Sequence, residues 1–131
     1  MACRLGASLR VLSRAVTAER AARAAQAAID AGQSILDLRL RHGPPAEIDR
    51  ARFELWCQQV LVHAAAHDAA GVSGDVATLE WIRDRFAHTL EPAGMAEVDT
   101  RIRALRTPAD AARPAAAADH AARLGQRLLS L

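Results

Sequence analysis

Apolar side chains recur at intervals of three and four residues along most of this chain, which places them on one face of a helix. Residues 5–42 fit a helix throughout, with Thr17 and Gly32 as the positions that favour a break. The run HGPP at 42–45 ends this helix, because Gly43 suits a left-handed cap and two prolines follow it. The pattern therefore predicts a long N-terminal helix with a firm stop.

Two further helices are predicted in the middle of the chain. Pro45 fits the first position of the second helix, which runs to about residue 71. The run GVSGD at 71–75 is interpreted as a tight connection, and a third helix follows to about residue 90. Its apolar stripe consists of Val76, Leu79, Ile82, Phe86 and Leu90.

The C-terminal third predicts one or two more helices. After EPAG at 91–94, a fourth apolar stripe is formed by Met95, Val98, Ile102 and Leu105. Thr107-Pro108 reads as the start of the next element, and Pro114 as a kink or restart before a last stripe of Ala117, Ala121, Leu124, Leu128 and Leu131. Short connections favour antiparallel neighbours, so we expect an all-α, up-and-down bundle of four to five antiparallel helices. We expect residues 1–131 to form a single domain.

Composition agrees with helices and narrows the class of partner. The chain is 51% hydrophobic and only 3% aromatic, it is rich in alanine, and it has no Tyr, Lys or Asn, a bias typical of a GC-rich bacterial genome. Its basic and acidic residues number 17 and 15 and are interspersed, which argues against a nucleic-acid partner. Cys3 and Cys57 lie far apart without a CxxC motif, which favours reduced thiols and a cytoplasmic location.

The N-terminus allows two interpretations. Residues 1–16 contain arginine and serine but no acid, with Leu5, Leu9, Leu12 and Val16 on one helical face, and so resemble a mitochondrial transit peptide. The alternative is the first turns of an amphipathic helix in a bacterial protein. No apolar run reaches the length that a membrane-spanning helix needs.

The stretch VLVHAAAHDAAG at 60–71 places His63 and His67 four residues apart, on the stripe that carries Phe53, Trp56 and Val60. Such a pair either fills the core, binds a metal ion, or lines a cleft for a small ligand. When the second helix is folded on the third, Thr78 and Ile82 lie opposite the pair, and neither is a useful ligand. We therefore expect core histidines, with metal or small-ligand binding at His63 and His67 as the alternative.

A second pattern involves Arg83 and His88 in RDRFAH. It is similar to the Arg-x4-6-His signature of the HEPN family, which comprises small helical ribonucleases and toxins. The resemblance implies an RNA-cleaving site formed by Arg83 and His88. Residues five apart point about 140° apart on a helix, so the two side chains converge only if the helix frays before His88.

The sequence contains no glycine-rich phosphate loop, no nucleophile elbow and no Glu-x-x-His pairs of the kind that di-iron bundles use. The second helix carries more apolar surface than one stripe requires, and Trp56 and Trp81 are aromatic anchors of the kind found in interfaces. We therefore expect a non-enzymatic helical protein, without a cofactor, that binds a protein partner or a second copy of itself.

Overall fold

A computed structural model describes the backbone of residues 2–131 and the side chains from residue 8 onwards. Over these residues the chain is helical and contains no β-strand. The helices are α1 (Ala2–Arg39), α2 (Pro45–Ala65), α3 (Ala69–Phe86), α4 (Pro92–Asp110) and α5 (Pro114–Leu128), with a single 3-10 turn at Ala87–Thr89 after α3. The predicted all-α bundle is confirmed.

Proline sets the start of three helices. Pro45, Pro92 and Pro114 lie in the first turn of α2, α4 and α5, respectively. The fixed φ angle of proline suits that position, where the missing N–H has no helical partner in any case. The chain therefore reverses direction at points that are readable in the sequence.

Helices α2 to α5 form a closed antiparallel bundle. Paired side chains fix the antiparallel register of successive helices: Asp49 with Arg85, Arg83 with Asp99, and Glu97 with Arg127. Helix α5 returns against α2, where a Cβ atom on Gly125 would lie 3.4 Å from Cβ of Cys57. Each of the four helices thus has two neighbours within the bundle.

The core lies at the centre of these four helices. Phe53 and Phe86 meet edge to face, with ring centroids 5.4 Å apart. This T-shaped arrangement is one that aromatic pairs prefer. The other buried core residues are Cys57, Val60, Ala64, Val72, Val76, Leu79, Ile82, Val98, Ile102, Leu105, Ala109, Ala117, Ala121, Leu124 and Leu128.

Helix α1 lies outside this bundle and packs antiparallel on α2. Its buried apolar side chains in the described region are Ile29 and Leu36, and Gly32 allows close approach to Leu55. All side chains from residue 8 to residue 25 are exposed. Because Gln26 pairs with Gln59, the end of α2 lies level with about residue 20 of α1. At 1.5 Å per residue, residues 2–17, here called the arm, project about 24 Å beyond α2.

The turn between α2 and α3 differs from the predicted one. Helix α2 ends at Ala65, and Gly71 and Gly74 lie inside α3 instead of forming a connection. His67 adopts a left-handed conformation with φ of 55°, its N–H donates to Ala64, and the N–H of Asp68 donates to the carbonyl of His63. These two hydrogen bonds form a Schellman motif. Asp68 then caps α3 by accepting a hydrogen bond from the N–H of Gly71.

The predicted start of a new element at Thr107-Pro108 is also wrong. Pro108 lies within the last turn of α4, which continues to Asp110. The chain leaves the helix at Ala112, a second left-handed residue with φ of 52°. Proline removes only the one hydrogen bond that its own N–H would donate, and α4 continues through Pro108 for two more residues.

Candidate functional site

A histidine and a buried carboxylate meet between α2 and α3. His63 Nδ1 lies 2.6 Å from Asp75 Oδ2. The Asp75 side chain is only 4% exposed, whereas that of His63 is 30% exposed. Burial raises the pKa of the Asp75 carboxyl above its ordinary value, although the hydrogen bond and charge of His63 act in the opposite direction.

The site extends from His63 to α1 through two glutamines. Gln26 and Gln59 form a reciprocal pair, here called the amide clip, with N–H···O distances of 2.9 and 2.7 Å. Gln26 Nε2 also donates to Asp30 Oδ1 at 3.0 Å, and Gln59 Nε2 lies 3.5 Å from His63 Nε2. Five polar side chains therefore connect three helices in one continuous chain.

An open cleft of about 380 Å³ borders this chain of side chains. Its walls include Trp56, Ile29 and Gln33 in addition to the polar side chains just described. Trp56 is half-buried and packs against the core, so it lies beside the candidate site at the junction of α1 and α2.

The structure separates the two histidines that the sequence placed on one stripe. His63 is on α2, but His67 belongs to the turn and is exposed, so the expectation that both fill the core is wrong for His67. The helix ends before His67 because the backbone closes in the Schellman motif. Among residues with described side chains, no group of three or more His, Cys, Asp or Glu is arranged to hold a metal ion.

Arg83 and His88 have different surroundings in the structure. The guanidinium of Arg83 makes two 2.7 Å hydrogen bonds to Asp99 and one to Asp84, and these bonds raise its pKa. His88 is exposed on the 3-10 turn that follows α3. Arg83 thus joins α3 to α4 through its hydrogen bonds to Asp99.

Trp81, the second aromatic candidate, lies on the outer surface of α3. It is 63% exposed, and the guanidinium carbon of Arg85 lies 5.1 Å from the ring centroid. Such a cation–π contact is modest at an exposed position. Arg85 also bonds Asp49, so the ring covers an ion pair that joins α3 to α2.

A larger apolar cleft of about 630 Å³ lies between α1 and α2 on their outer side. Its α1 wall consists of Ala18, Ala21, Ala22, Ala25, Ala28 and Ile29, and its α2 wall of Leu55, Gln58, Leu61, Val62 and Ala65. Because alanine is short, the α1 wall leaves space that larger side chains would fill. The run AARAAQAA at 21–28 supplies most of the α1 wall and is the feature of the sequence that bears on this cleft.

Several site residues were missed in the sequence analysis. Asp75 was assigned to the end of a turn, and the wrong turn position put Thr78 and Ile82 opposite the histidines. Gln26 and its partner Gln59 were not considered. The N-cap signal of Asp68 would have moved the turn and brought Asp75 opposite His63.

The architecture defines an all-α bundle with an external N-terminal helix. None of its described helices has a segment both long and apolar enough to cross a membrane. Comparisons with protein-family models, curated proteins and solved structures give no match to this chain.

Proposed function

We propose that this protein acts by self-association, in which the arm of one copy packs into the apolar cleft of a second copy. The observation that supports this most strongly is that a projecting apolar helix segment and an apolar cleft lie next to each other on the same helix. Both are exposed in the single chain.

The shapes of the two surfaces are complementary. Leu9, Leu12 and Val16 are 57%, 60% and 40% exposed and lie on one face of the arm. The cleft offers an alanine wall facing a wall of leucine and valine. Large side chains packed against small ones fill space without strain, which is the arrangement that stabilises helix–helix contacts.

The charges also favour this occupant. Residues 2–17 of the arm contain three Arg and no acid, a net charge of +3, whereas the whole chain has +2, so the remaining residues carry −1. Glu47 and Glu54 share a face of α2 with Gln58 and Ala65 of the cleft wall, at helical spacing. A basic arm is therefore attracted to the cleft side of a second copy.

The arm face and the cleft point to opposite sides of α1. Leu9 and Ala18, like Val16 and Ala25, are nine residues apart, which is about two and a half helical turns. A two-fold axis therefore cannot bring both surfaces of each copy into contact, and the arm of each copy enters the cleft of the next copy head to tail. The result is an open assembly that grows with concentration.

Light scattering coupled to size-exclusion chromatography tests this proposal over a dilution series. We expect an average mass that rises with concentration above the 14.0 kDa of the single chain. Leu12→Glu on the arm and Ala25→Phe in the cleft should each give a monomer, because the first buries a charge and the second fills the cleft.

Matched controls separate these effects from general surface changes. Leu129→Glu changes an exposed leucine after α5, and Ala27→Phe enlarges an exposed α1 residue that does not line the cleft. Both should retain the association. A wild-type chain that is monomeric at every concentration would contradict the proposal, as would association that Leu12→Glu and Ala25→Phe leave intact.

A further inference from the structure

Arginine side chains cluster in the groove between α4 and α5, here called the basic groove. It consists of two clefts of about 310 and 350 Å³, and Arg101 and Arg123 line both of them. Glu97 lines the first cleft and Arg127 the second. None of these residues lies on the arm or on the apolar cleft between α1 and α2, so the basic groove is a separate surface.

The register of the two helices brings the arginines together. Glu97 of α4 accepts a 2.8 Å hydrogen bond from Nε of Arg127 on α5. Because the helices run antiparallel, one turn forward on α4 and one turn back on α5 places Arg101 opposite Arg123. Two guanidinium groups therefore face each other across the groove, and their like charges repel.

Glu97 neutralises only part of this charge. Its Oε1 atom also accepts hydrogen bonds from Nε and Nη2 of Arg101, at 3.1 and 3.0 Å. The bonds from Arg127 and Arg101 lower the pKa of Glu97 to about 2, so its carboxylate is charged at neutral pH. With His120 counted as neutral, three arginines and one glutamate leave a net charge of +2 among the residues that line the basic groove.

Most N–H groups of these arginines are not used by the chain. Arg123 is exposed, and among the described side chains it has no hydrogen-bond or ion-pair partner, although Asp119 lies one turn before it on α5. Arg101 donates two of its N–H groups to Glu97, and Arg127 donates one to Glu97 and one to Ser130. The remaining N–H groups are donors for which the chain supplies no acceptor.

We propose that the basic groove binds a phosphate monoester between Arg101, Arg123 and Arg127. Such a group carries a charge of about −1.5 to −2 at neutral pH, which matches the net charge of the groove. Its terminal oxygens accept hydrogen bonds from guanidinium groups in pairs. A phosphate diester, as in a nucleic acid, carries a single negative charge and neutralises less of the groove.

Isothermal titration calorimetry of the whole chain with inorganic phosphate tests the proposal at neutral pH and constant ionic strength. Arg123→Gln should weaken phosphate binding about tenfold, because it removes charge-assisted hydrogen bonds without breaking a contact of the fold. The matched control is Arg103→Gln, which removes an exposed arginine of α4 that lines neither cleft. It should change the affinity by less than about twofold.

Equal losses in the two variants would overturn the proposal, as would a wild-type chain that binds no phosphate. Competition adds a second criterion. Sulfate, another tetrahedral dianion, should displace phosphate, whereas chloride at the same ionic strength should not. Displacement by chloride to the same extent would show general screening of surface charge and would contradict a phosphate site.

Two further probes separate the sources of a phosphate monoester. Methyl phosphate represents a small molecule, and a short phosphoserine peptide represents a phosphorylated protein. We expect methyl phosphate to bind at least as tightly as the peptide, because each cleft has the volume of a small-ligand site. Tighter binding of the peptide would support the phosphate site and assign it to a protein partner. Binding of either probe that Arg123→Gln leaves unchanged would contradict the proposal.

The result does not depend on self-association, because the basic groove shares no residue with the arm or the apolar cleft. Phosphate binding by a chain that stays monomeric would support the groove and contradict only self-association. A chain that associates but binds no phosphate would have the opposite meaning.

Discussion

The bundle of α2 to α5 and the external helix α1 differ in which side chains they bury. In the bundle, the stripes contain phenylalanine, leucine, isoleucine and valine, and most of these side chains are less than 3% exposed. In α1, the face towards α2 is mostly alanine, and Ile29 and Leu36 are the buried apolar residues described there. Helical periodicity alone therefore does not determine how firmly a helix is held.

The difference follows from the area that each side chain removes from water. Burying a leucine or phenylalanine side chain contributes about 1.5–3 kcal/mol, whereas alanine contributes far less. Helix α1 compensates with polar contacts, namely the amide clip and the bonds from Arg52 to Gln33 and Asp37. Exposed polar contacts are individually weak, so we expect α1 to be the less stable region.

The largest contrast should appear in thiol reactivity. Burial, with a smaller contribution from Glu54, raises the pKa of the Cys57 thiol to about 12. Relative to the ordinary value of 9.0, this leaves about a thousandfold less thiolate at pH 8. In a Cys3→Ser background, Cys57 should react with a thiol reagent only after unfolding in denaturant.

Ser13→Cys in that same background provides the comparison for α1. Residue 13 is exposed on the arm, so its thiol should react at the rate of a free cysteine. Similar rates for Cys57 and the arm cysteine would show that the bundle opens as readily as α1.

The next largest effect concerns the aromatic pair in the core. Phe53 is fully buried and contacts Phe86, so Phe53→Ala should lower the free energy of unfolding by about 3–5 kcal/mol. Leu12→Ala on the arm should change it by less than about 0.5 kcal/mol in dilute monomer. Urea denaturation measures both, and equal losses would contradict the division between bundle and arm.

A smaller effect distinguishes two glycines within α3. A Cβ atom at Gly71 would lie 2.8 Å from Cγ of His63 and 2.5 Å from Asp68 Oδ2, whereas a Cβ atom at Gly74 has no neighbour within 4 Å. Gly71→Ala should therefore destabilise the fold by about 1–3 kcal/mol. Gly74→Ala should stabilise it by about 0.5–1 kcal/mol, as alanine usually does in a helix.

Thermal melts of both glycine variants provide the measurement. If both variants change the melting temperature in the same direction, then the close approach of α3 to His63 is not the reason for glycine at position 71.

The smallest expected effect is a pH dependence of the stability of the bundle. Hydrogen bonds from Arg127 and Arg101 lower the pKa of Glu97 from 4.5 to about 2. A carboxyl whose pKa is lower in the folded state stabilises the fold above its unfolded pKa, and this contribution is lost as the pH falls from about 4.5 towards 2.

In Glu97→Gln, the free energy of unfolding should therefore fall less steeply as the pH decreases over that range. The matched control is Glu19→Gln, since Glu19 pairs with Arg23 on the exposed surface of α1. Denaturation at a series of pH values checks both variants, and an acid limb that is unchanged in Glu97→Gln would contradict the assignment.

Sequence periodicity predicted the fold class and several helix starts, because proline and large apolar residues act locally. It failed at the turn after α2, where the two glycines of GVSGD were interpreted as a connection and the N-cap signal of Asp68 was not used. Gly71 is needed for close packing against His63, and packing partners are not visible in a local pattern.

The candidate site was predictable only in part. His63 was identified from its spacing, but Asp75 and Gln59 became its neighbours only once the helices were in register. His67 was misplaced by the same error of the turn. A one-turn shift in a helix boundary changes every residue opposite it, so site geometry is more sensitive than fold class.

The positions of the two tryptophans make fluorescence spectroscopy unusually simple for this chain. There is no tyrosine, Trp81 is largely in solvent, and Trp56 lines the cleft beside Gln26 and Ile29. A Trp81→Phe variant would therefore emit from a single indole at the junction of α1 and α2. Its emission wavelength and quenching by iodide would report, in real time and without labelling, whether α1 covers that indole.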